Sequence, residues 1–212
     1  STDRQVNTTV HRSCNALFRS VSRRGDKYDL CPLLSKLLSC LGEIMVKTDI
    51  LQLIADLEKA TFTDNWSRES IEDTLKHTYN FIYVAWKSET GLNITKLDSD
   101  FLSEGINKNI DIESFAGYLI ANAIADETEL LRIAVKQEMR GKGIAGKLIE
   151  TYFKDVEEKC SRGLLEVRKS NLPARALYEK KGYNQLCERK NYYKDPVENG
   201  VIYEKIYDLT LL

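Results

Sequence analysis

Between Arg140 and Gly146 the chain reads Arg-Gly-Lys-Gly-Ile-Ala-Gly, directly after the apolar run Leu130-Leu131-Arg132-Ile133-Ala134-Val135. Ile144, Ala145, Leu148, Ile149, Tyr152, Phe153 and Val156 then recur at helical spacing and fall on one face. A strand, a glycine-rich turn and a helix start in that order make a site for a phosphate group. Unpaired main-chain N–H groups point outward there, and the helix dipole adds partial positive charge. Three nucleotide patterns bear on such a turn. The P-loop string Gly-x-x-x-x-Gly-Lys-Ser/Thr does not occur. Gly141, Gly143 and Gly146 match Gly-x-Gly-x-x-Gly, and Glu166 follows about 20 residues on, as a dinucleotide fingerprint requires. That pattern lacks its context, because no run of alternating strands and helices follows to complete a doubly wound sheet. Arg140, Gly143 and Ala145 match Arg-x-x-Gly-x-Ala. An ordinary glycine turn opening a helix gives the same string.

Further strings follow in order. Leu164-Leu165-Glu166-Val167-Arg168-Lys169-Ser170-Asn171 precedes Ala176-Leu177-Tyr178-Glu179-Lys180-Lys181-Gly182-Tyr183, and Arg189-Lys190-Asn191-Tyr192-Tyr193 comes last. With the Arg-x-x-Gly-x-Ala loop, this set resembles the GNAT superfamily of N-acetyltransferases, in particular its RimI-type ribosomal-protein-alanine members. The eukaryotic N-terminal acetyltransferases share the Val-Arg-Lys-Ser-Asn string. The resemblance runs from Glu43 to Tyr207 and is densest from Asp126 to Tyr193. It implies an α/β (α+β) fold: a central mixed, mainly antiparallel twisted sheet with splayed central strands and flanking helices, here with an N-terminal helical extension.

The layout agrees with that order. Ile44 to Lys47 reads as a short strand, and Asp49 as a cap for a helix carrying Ile50, Leu53, Ile54 and Leu57. Ser67 can cap a second helix reaching about Thr78. Strands are expected at Phe81–Trp86, Ser114–Ile124, Thr128–Val135, around Glu166, and near 183–190 and 200–209, with a helix over Asn171–Lys181. Two departures stand out. Residues 88–112 intervene where the family has a short hairpin, and such a connection usually has its own structure or function. A short helix capped by Asp98 could span Ser99–Ile106. Residues 1–42 form an extension before the domain expected over 43–212.

That extension holds seven Lys/Arg and three Asp, a net +4, so the remainder carries −5 of the chain's overall −1. Arg12, Arg19, Arg23 and Arg24 among serines and threonines have a transit-peptide flavour. Against that, Leu33, Leu34, Leu37, Leu38 and Leu41 form an amphipathic stripe between Pro32 and Gly42, which suits a docked helix. A chain of 212 residues with 42% hydrophobic residues can bury a core, and a net charge of −1 exerts no general pull on nucleic acid or anionic lipid. No apolar stretch approaches the ~20 residues of a membrane span. Cys14, Cys31, Cys40, Cys160 and Cys187 are odd in number without Cys-x-x-Cys spacing, and His11 and His77 are the sole histidines. Free thiols in a reducing cytoplasm fit better than zinc or disulfides.

The chemistry needs a neutral amine, a held thioester and a proton for the departing thiolate. A protein α-amine, with a pKa of about 7.7–8.0, asks only for a modest base, whereas lysine, near 10.4, is harder. By resemblance Glu166 is that base and Tyr178 the acid, with acetyl-CoA as cofactor, coenzyme A as product and no metal. The plainer readings are a strand carboxylate paired with Arg168 or Lys169, and a helix tyrosine packed on the core. The resemblance places the pantetheine arm along Ile133, Ala134 and Val135, which end in a splayed bulge. It places the pyrophosphate on Arg140, Gly141, Lys142, Gly143, Ile144, Ala145 and Gly146. Gly141 stands where some relatives have a long side chain, so one contact is lost. The Lys142 and Lys147 side chains read as solvated. Asn171 is a pantetheine ligand, a helix cap, or both. Phe62, Trp66, Tyr192 and Tyr193 are the expected acceptor walls, with Asn65 in place of a frequent proline. No Ser-His-Asp or Cys-His set is evident, so direct attack is expected. The acceptor is expected to be a protein N-terminus with a small first residue, such as a ribosomal protein's alanine. A small amine or lysine acceptor, and a non-catalytic acetyl-CoA-binding module, are the alternatives. The protein is expected to be a monomer or weak dimer.

Overall fold

Phe81, Tyr83 and Ala85 alternate with Ile82 and Val84, and all five are buried. A strand with both sides apolar must be covered on both faces. The computed structural model, which describes residues 50–89, 91–97 and 114–207, shows that covering. In chain order the elements are α1 (Ile50–Thr61), α2 (Arg68–Leu75), β1 (Asn80–Ser88), β2 (Gly91–Leu97), β3 (Phe115–Ile124), β4 (Glu127–Val135), α3 (Ile144–Val156), β5 (Arg162–Arg168), α4 (Leu172–Lys180), β6 (Asn184–Lys194) and β7 (Val197–Ile206). They build one seven-stranded sheet in the order β2-β1-β3-β4-β5-β7-β6. The β4–β5 pair is parallel and every other pair antiparallel.

Two apolar clusters lie on the two faces. Phe81, Tyr83 and Ala85 join Leu148, Ile149 and Tyr152 of α3, with Leu165, Val167 and Tyr178, on one side. Ile82 and Val84 join Ile50, Ile54, Ile71 and Leu75 of α1 and α2 on the other. The stripe expected on the helix after the glycine loop is the buried face of α3. Ser67 caps α2, its Oγ accepting from the Ser70 N–H at 3.2 Å. That helix ends at Leu75, short of the expected Thr78.

The 88–112 connection, expected to carry structure or function of its own, contributes an edge strand. Gly91–Leu97 pairs with β1 from Ser88↔Gly91 to Ile82↔Leu97, while β3 takes the other edge of β1. The strand expected at 44–47, the Asp49 cap, the leucine stripe of the extension and the helix at 99–106 lie outside the described residues. Among the described residues, no helix is long and apolar enough to cross a membrane.

Candidate active site

β4 and β5 pair only from Glu127↔Arg162 to Leu130↔Leu165. Beyond that point they part. β4 runs on to Val135 paired with β3 alone, and β5 to Arg168 paired with β7 alone. The parting begins at a bulge: Ala121 faces Leu130 and Ile120 faces Arg132, so Leu131 is the extra residue. An extra residue bends its strand and sharpens the local twist. The bulge therefore lies two residues before the expected Ile133. Ile133, Ala134 and Val135 border the resulting gap, whose facing edges carry main-chain donors and acceptors with no strand opposite among the described residues.

The glycine loop closes one end of this gap. The Arg140 N–H donates to Gln137 O, and the Lys147 N–H to Gly143 O. Among the described residues, no main-chain acceptor faces the amides of Gly141, Lys142, Gly143, Ile144, Ala145 and Gly146. Gly143 is the N-cap of α3 at φ 77°, and Gly141 has φ 75°. Both are left-handed, and a Cβ at either would point into open space. These glycines supply the turn and keep the ground in front of the helix clear. The charged side chains of the loop turn away from it. Arg140 Nε donates to Val135 O at 3.0 Å, and Lys142 Nζ to Glu138 O at 3.0 Å. Arg140 thus ties the loop to the end of β4.

Glu166 is the first residue of β5 past the last β4 pair. Its neighbours Leu165 and Val167 belong to the α3-side cluster, so Glu166 points to the opposite face. Tyr178, buried on α4, belongs to the α3-side cluster. Base and acid candidates thus come from opposite faces, and the gap joins those faces. Burial pushes the Glu166 carboxyl above its ordinary pKa, against the pull of Arg189 and, less, of Tyr192 and Tyr193. Burial, with Tyr193 nearby, raises the Tyr178 phenol. Burial and then Glu166 raise Tyr193 itself, so Tyr193 stands near both groups. Neither ion pair considered for Glu166 forms. Arg168 reaches Glu198 and Lys169 reaches Glu188, while Glu166 pairs with Arg189 of β6 at 3.2 Å.

The expected acceptor walls rest on residues the sequence did not single out. Arg132, next to the bulge, stacks its guanidinium on Phe62 at 5.0 Å and Trp66 at 5.3 Å. It also pairs with Asp64 at 2.9 Å. Glu58, wholly buried, accepts from the Trp66 N–H at 3.0 Å and from the Tyr118 hydroxyl. These contacts fix the α1–α2 loop. Opposite it, Tyr193 lies under the Arg168 guanidinium at 4.2 Å, and Tyr192 contacts Tyr193 edge to face. The loops are joined directly: the Thr63 hydroxyl donates to Asp195 O at 3.2 Å, and Arg168 donates to Thr63 Oγ1 and Asp195 O. Asn171 is the N-cap of α4, its Oδ1 accepting from the Ala174 N–H at 3.2 Å. Cys160 is a buried free thiol and Cys187 an exposed one.

Residues 51–183 match the sequence pattern described as the acetyltransferase (GNAT) family. The ribosomal protein bS18-alanine N-acetyltransferase of Haemophilus ducreyi is 34% identical over 123 residues, which are 56% of this chain and 81% of its own. The crystal structure of the ribosomal-protein-S18-alanine N-acetyltransferase from Escherichia coli matches with a TM-score of 0.56 at 24% identity, covering 77% of this chain and 91% of that one. The NatC complex bound to Gag peptide and CoA gives a TM-score of 0.56 at 19% identity, covering 74% and 91%. At such identities the structural matches establish the fold, a mixed sheet opened between its two parallel strands. The family pattern spans well over half of the sequence, from α1 through the turn after α4, and on that ground the chain belongs to the GNAT acetyltransferase family.

Proposed function

We propose that this enzyme is a protein Nα-acetyltransferase that moves the acetyl group of acetyl-CoA onto an N-terminal amine. The acceptor is a chain beginning with alanine or another small residue, with ribosomal proteins the expected class and the cytoplasm the expected place. The observation that carries this reading is the arch formed by Thr63, Arg168 and Asp195 beside Glu166. A chain end can be threaded beneath such an arch. An internal lysine would have to bring two flanking segments of backbone under the same arch. Residues 43–212 form the catalytic unit in this reading, with the 88–112 insertion supplying β2 at its edge.

The residues present suit acetyl-CoA. The free amides of Gly141 to Gly146 at the start of α3 match a pyrophosphate. The open edge at Ile133, Ala134 and Val135 matches the amide groups of a pantetheine arm, and Asn171 sits at the next helix start. Acetyl-CoA supplies the activated thioester. A main-chain N–H on the β4 edge polarises its carbonyl. Glu166 accepts the amine proton, directly or through a water. Tyr178 gives its phenolic proton to the departing sulfur. The signs agree with these roles. Glu166 works in its ionised form, so activity falls as pH drops through its raised pKa and through that of the amine. Tyr178 works protonated, and its raised pKa keeps it so through neutral and mildly alkaline pH.

Paired peptides test the reading, each with an internal lysine and either a free or a formylated N-terminal alanine. Mass spectrometry should find acetyl only on the free α-amine. Acetylation of the formylated peptide through lysine would overturn the proposal.

A further inference from the structure

Arg189 opens the string that ends in Tyr192 and Tyr193, yet neither coenzyme nor acceptor binding gives it a task. Its position is built in by three strands. Arg189 pairs with Gly200 of β7, and Gly200 in turn with Arg168 of β5. A Cβ on Gly200 would come within 3.3 Å of both Glu166 Cδ and Tyr192 Cδ1. Bare backbone at position 200 is therefore the floor on which these side chains meet. The β6–β7 register shifts after Arg189, where Asn191 takes φ 52° and donates its N–H to Asn199 Oδ1 at 3.0 Å. That irregularity brings Tyr192 back against Arg189, whose guanidinium lies 5.2 Å from the ring centre. From this seat Arg189 Nη1 reaches Glu166 Oε2 at 3.2 Å.

We propose that Arg189 is a positioning residue for the base: it holds one oxygen of the Glu166 carboxylate and leaves the other turned toward the acceptor amine. The proposal rests on Glu166 being that base. The surroundings explain why a clamp is needed. The Glu166 side chain is only 18% exposed, and a carboxyl in such a setting tends to take up a proton and go neutral. The groups facing it are Arg189, Tyr192 and Tyr193 from β6, Glu129 from β4 and the Gly200 backbone from β7. Glu129 opposes ionisation, the two phenols favour it, and Arg189 favours it most. The Arg189 side chain, 53% exposed, stays accessible to water and stacks on Tyr192. Stacking fixes the plane of the guanidinium, and the ion pair then fixes the carboxylate.

The test uses the full chain with Arg189→Gln, Arg189→Lys and Glu166→Gln. Carbon-13 NMR of glutamate-labelled protein follows Glu166, assigned as the carboxyl resonance missing from Glu166→Gln, without any acceptor present. In Arg189→Gln that titration should move to higher pH, and in Arg189→Lys it should return toward the wild-type position. With an N-terminal alanine peptide, kcat/KM of Arg189→Gln should fall roughly tenfold near pH 6.5 and less than about twofold near pH 9. Combined with Glu166→Gln, the Arg189 change should cost nothing more. An unmoved Glu166 titration overturns the proposal. So does an equal loss at every pH carried in the peptide KM, which would make Arg189 an acceptor contact. Full activity in Glu166→Gln would instead remove the base assignment, while the NMR titration reports on the Arg189–Glu166 link separately.

Discussion

The two sides of the gap between β4 and β5 are built from different materials. In the proposed function the coenzyme side works through main-chain amides, and the side chains of Arg140 and Lys142 are turned back onto carbonyls. The acceptor side of that reading works through side chains: Arg132 against Phe62 and Trp66, Arg168 over Tyr193, and Glu58 beneath the loop. The first kind of site depends on backbone conformation and open space, the second on contacts between distant segments. A backbone site suits a ligand common to every reaction of the family. A site made of loop side chains can be altered for a new acceptor without disturbing the coenzyme. Substitutions on one side should therefore leave the other side's constants alone.

Where the sides meet, the largest effect is expected. Tyr178→Phe keeps the buried ring and removes the proton donor, so kcat should fall about 10²-fold or more with both KM values little changed. Stopped assays at saturating acetyl-CoA and peptide measure it. A kcat within threefold of wild type would make Tyr178 a packing residue. Next in size is Gly143→Val on the coenzyme side. A β-branched residue at φ 77° costs roughly 1–3 kcal/mol of strain, and its side chain would fill the open ground before α3. Acetyl-CoA KM should rise about tenfold or more while the peptide KM holds.

The same contrast explains how much was legible beforehand. The glycine loop could be read because its signal is local: glycine where φ is positive, followed by an apolar helical stripe. Glu166, Tyr178 and the tyrosine pair become candidates in the sequence because they sit in short strings of fixed order. Arg132 looked like an interruption of an apolar run, since its partners Phe62, Asp64 and Trp66 lie some 70 positions earlier and share no periodicity with it. In the sequence Arg168 reads only as a partner for Glu166. In the structure it reaches Thr63, the Asp195 and Pro196 carbonyls and Glu198, which sequence distance hides. Strand β2 is hidden in the sequence for another reason. Its exposure alternates weakly, with only Leu97 fully buried, so Gly91–Leu97 carries little strand signal before β1 is beside it.

On the acceptor side, Thr63→Val keeps the shape of the side chain and removes its bond to Asp195 O together with the oxygen that Arg168 reaches. These bonds are exposed, so about 1 kcal/mol is at stake, and peptide KM should rise roughly fivefold with acetyl-CoA KM unchanged. A rise in acetyl-CoA KM of the same size would show that the arch shapes both halves and would break the contrast.

Lys142→Ala sharpens the contrast from the other direction, with the smallest expected effect. A lysine in a phosphate loop invites the reading that its charge binds the phosphates. Here its ammonium is hydrogen-bonded to the Glu138 carbonyl and lies 3.8 Å from Met139 Sδ, a turn behind the free amides. If main-chain N–H groups and the helix dipole carry the phosphate contact, truncating this side chain should change acetyl-CoA KM by less than about twofold. Added salt should then weaken coenzyme binding equally in variant and wild type, because the same amides remain. A tenfold rise in KM with a flattened salt dependence would mean that the lysine swings onto the phosphates. The coenzyme side would then depend on a side chain after all.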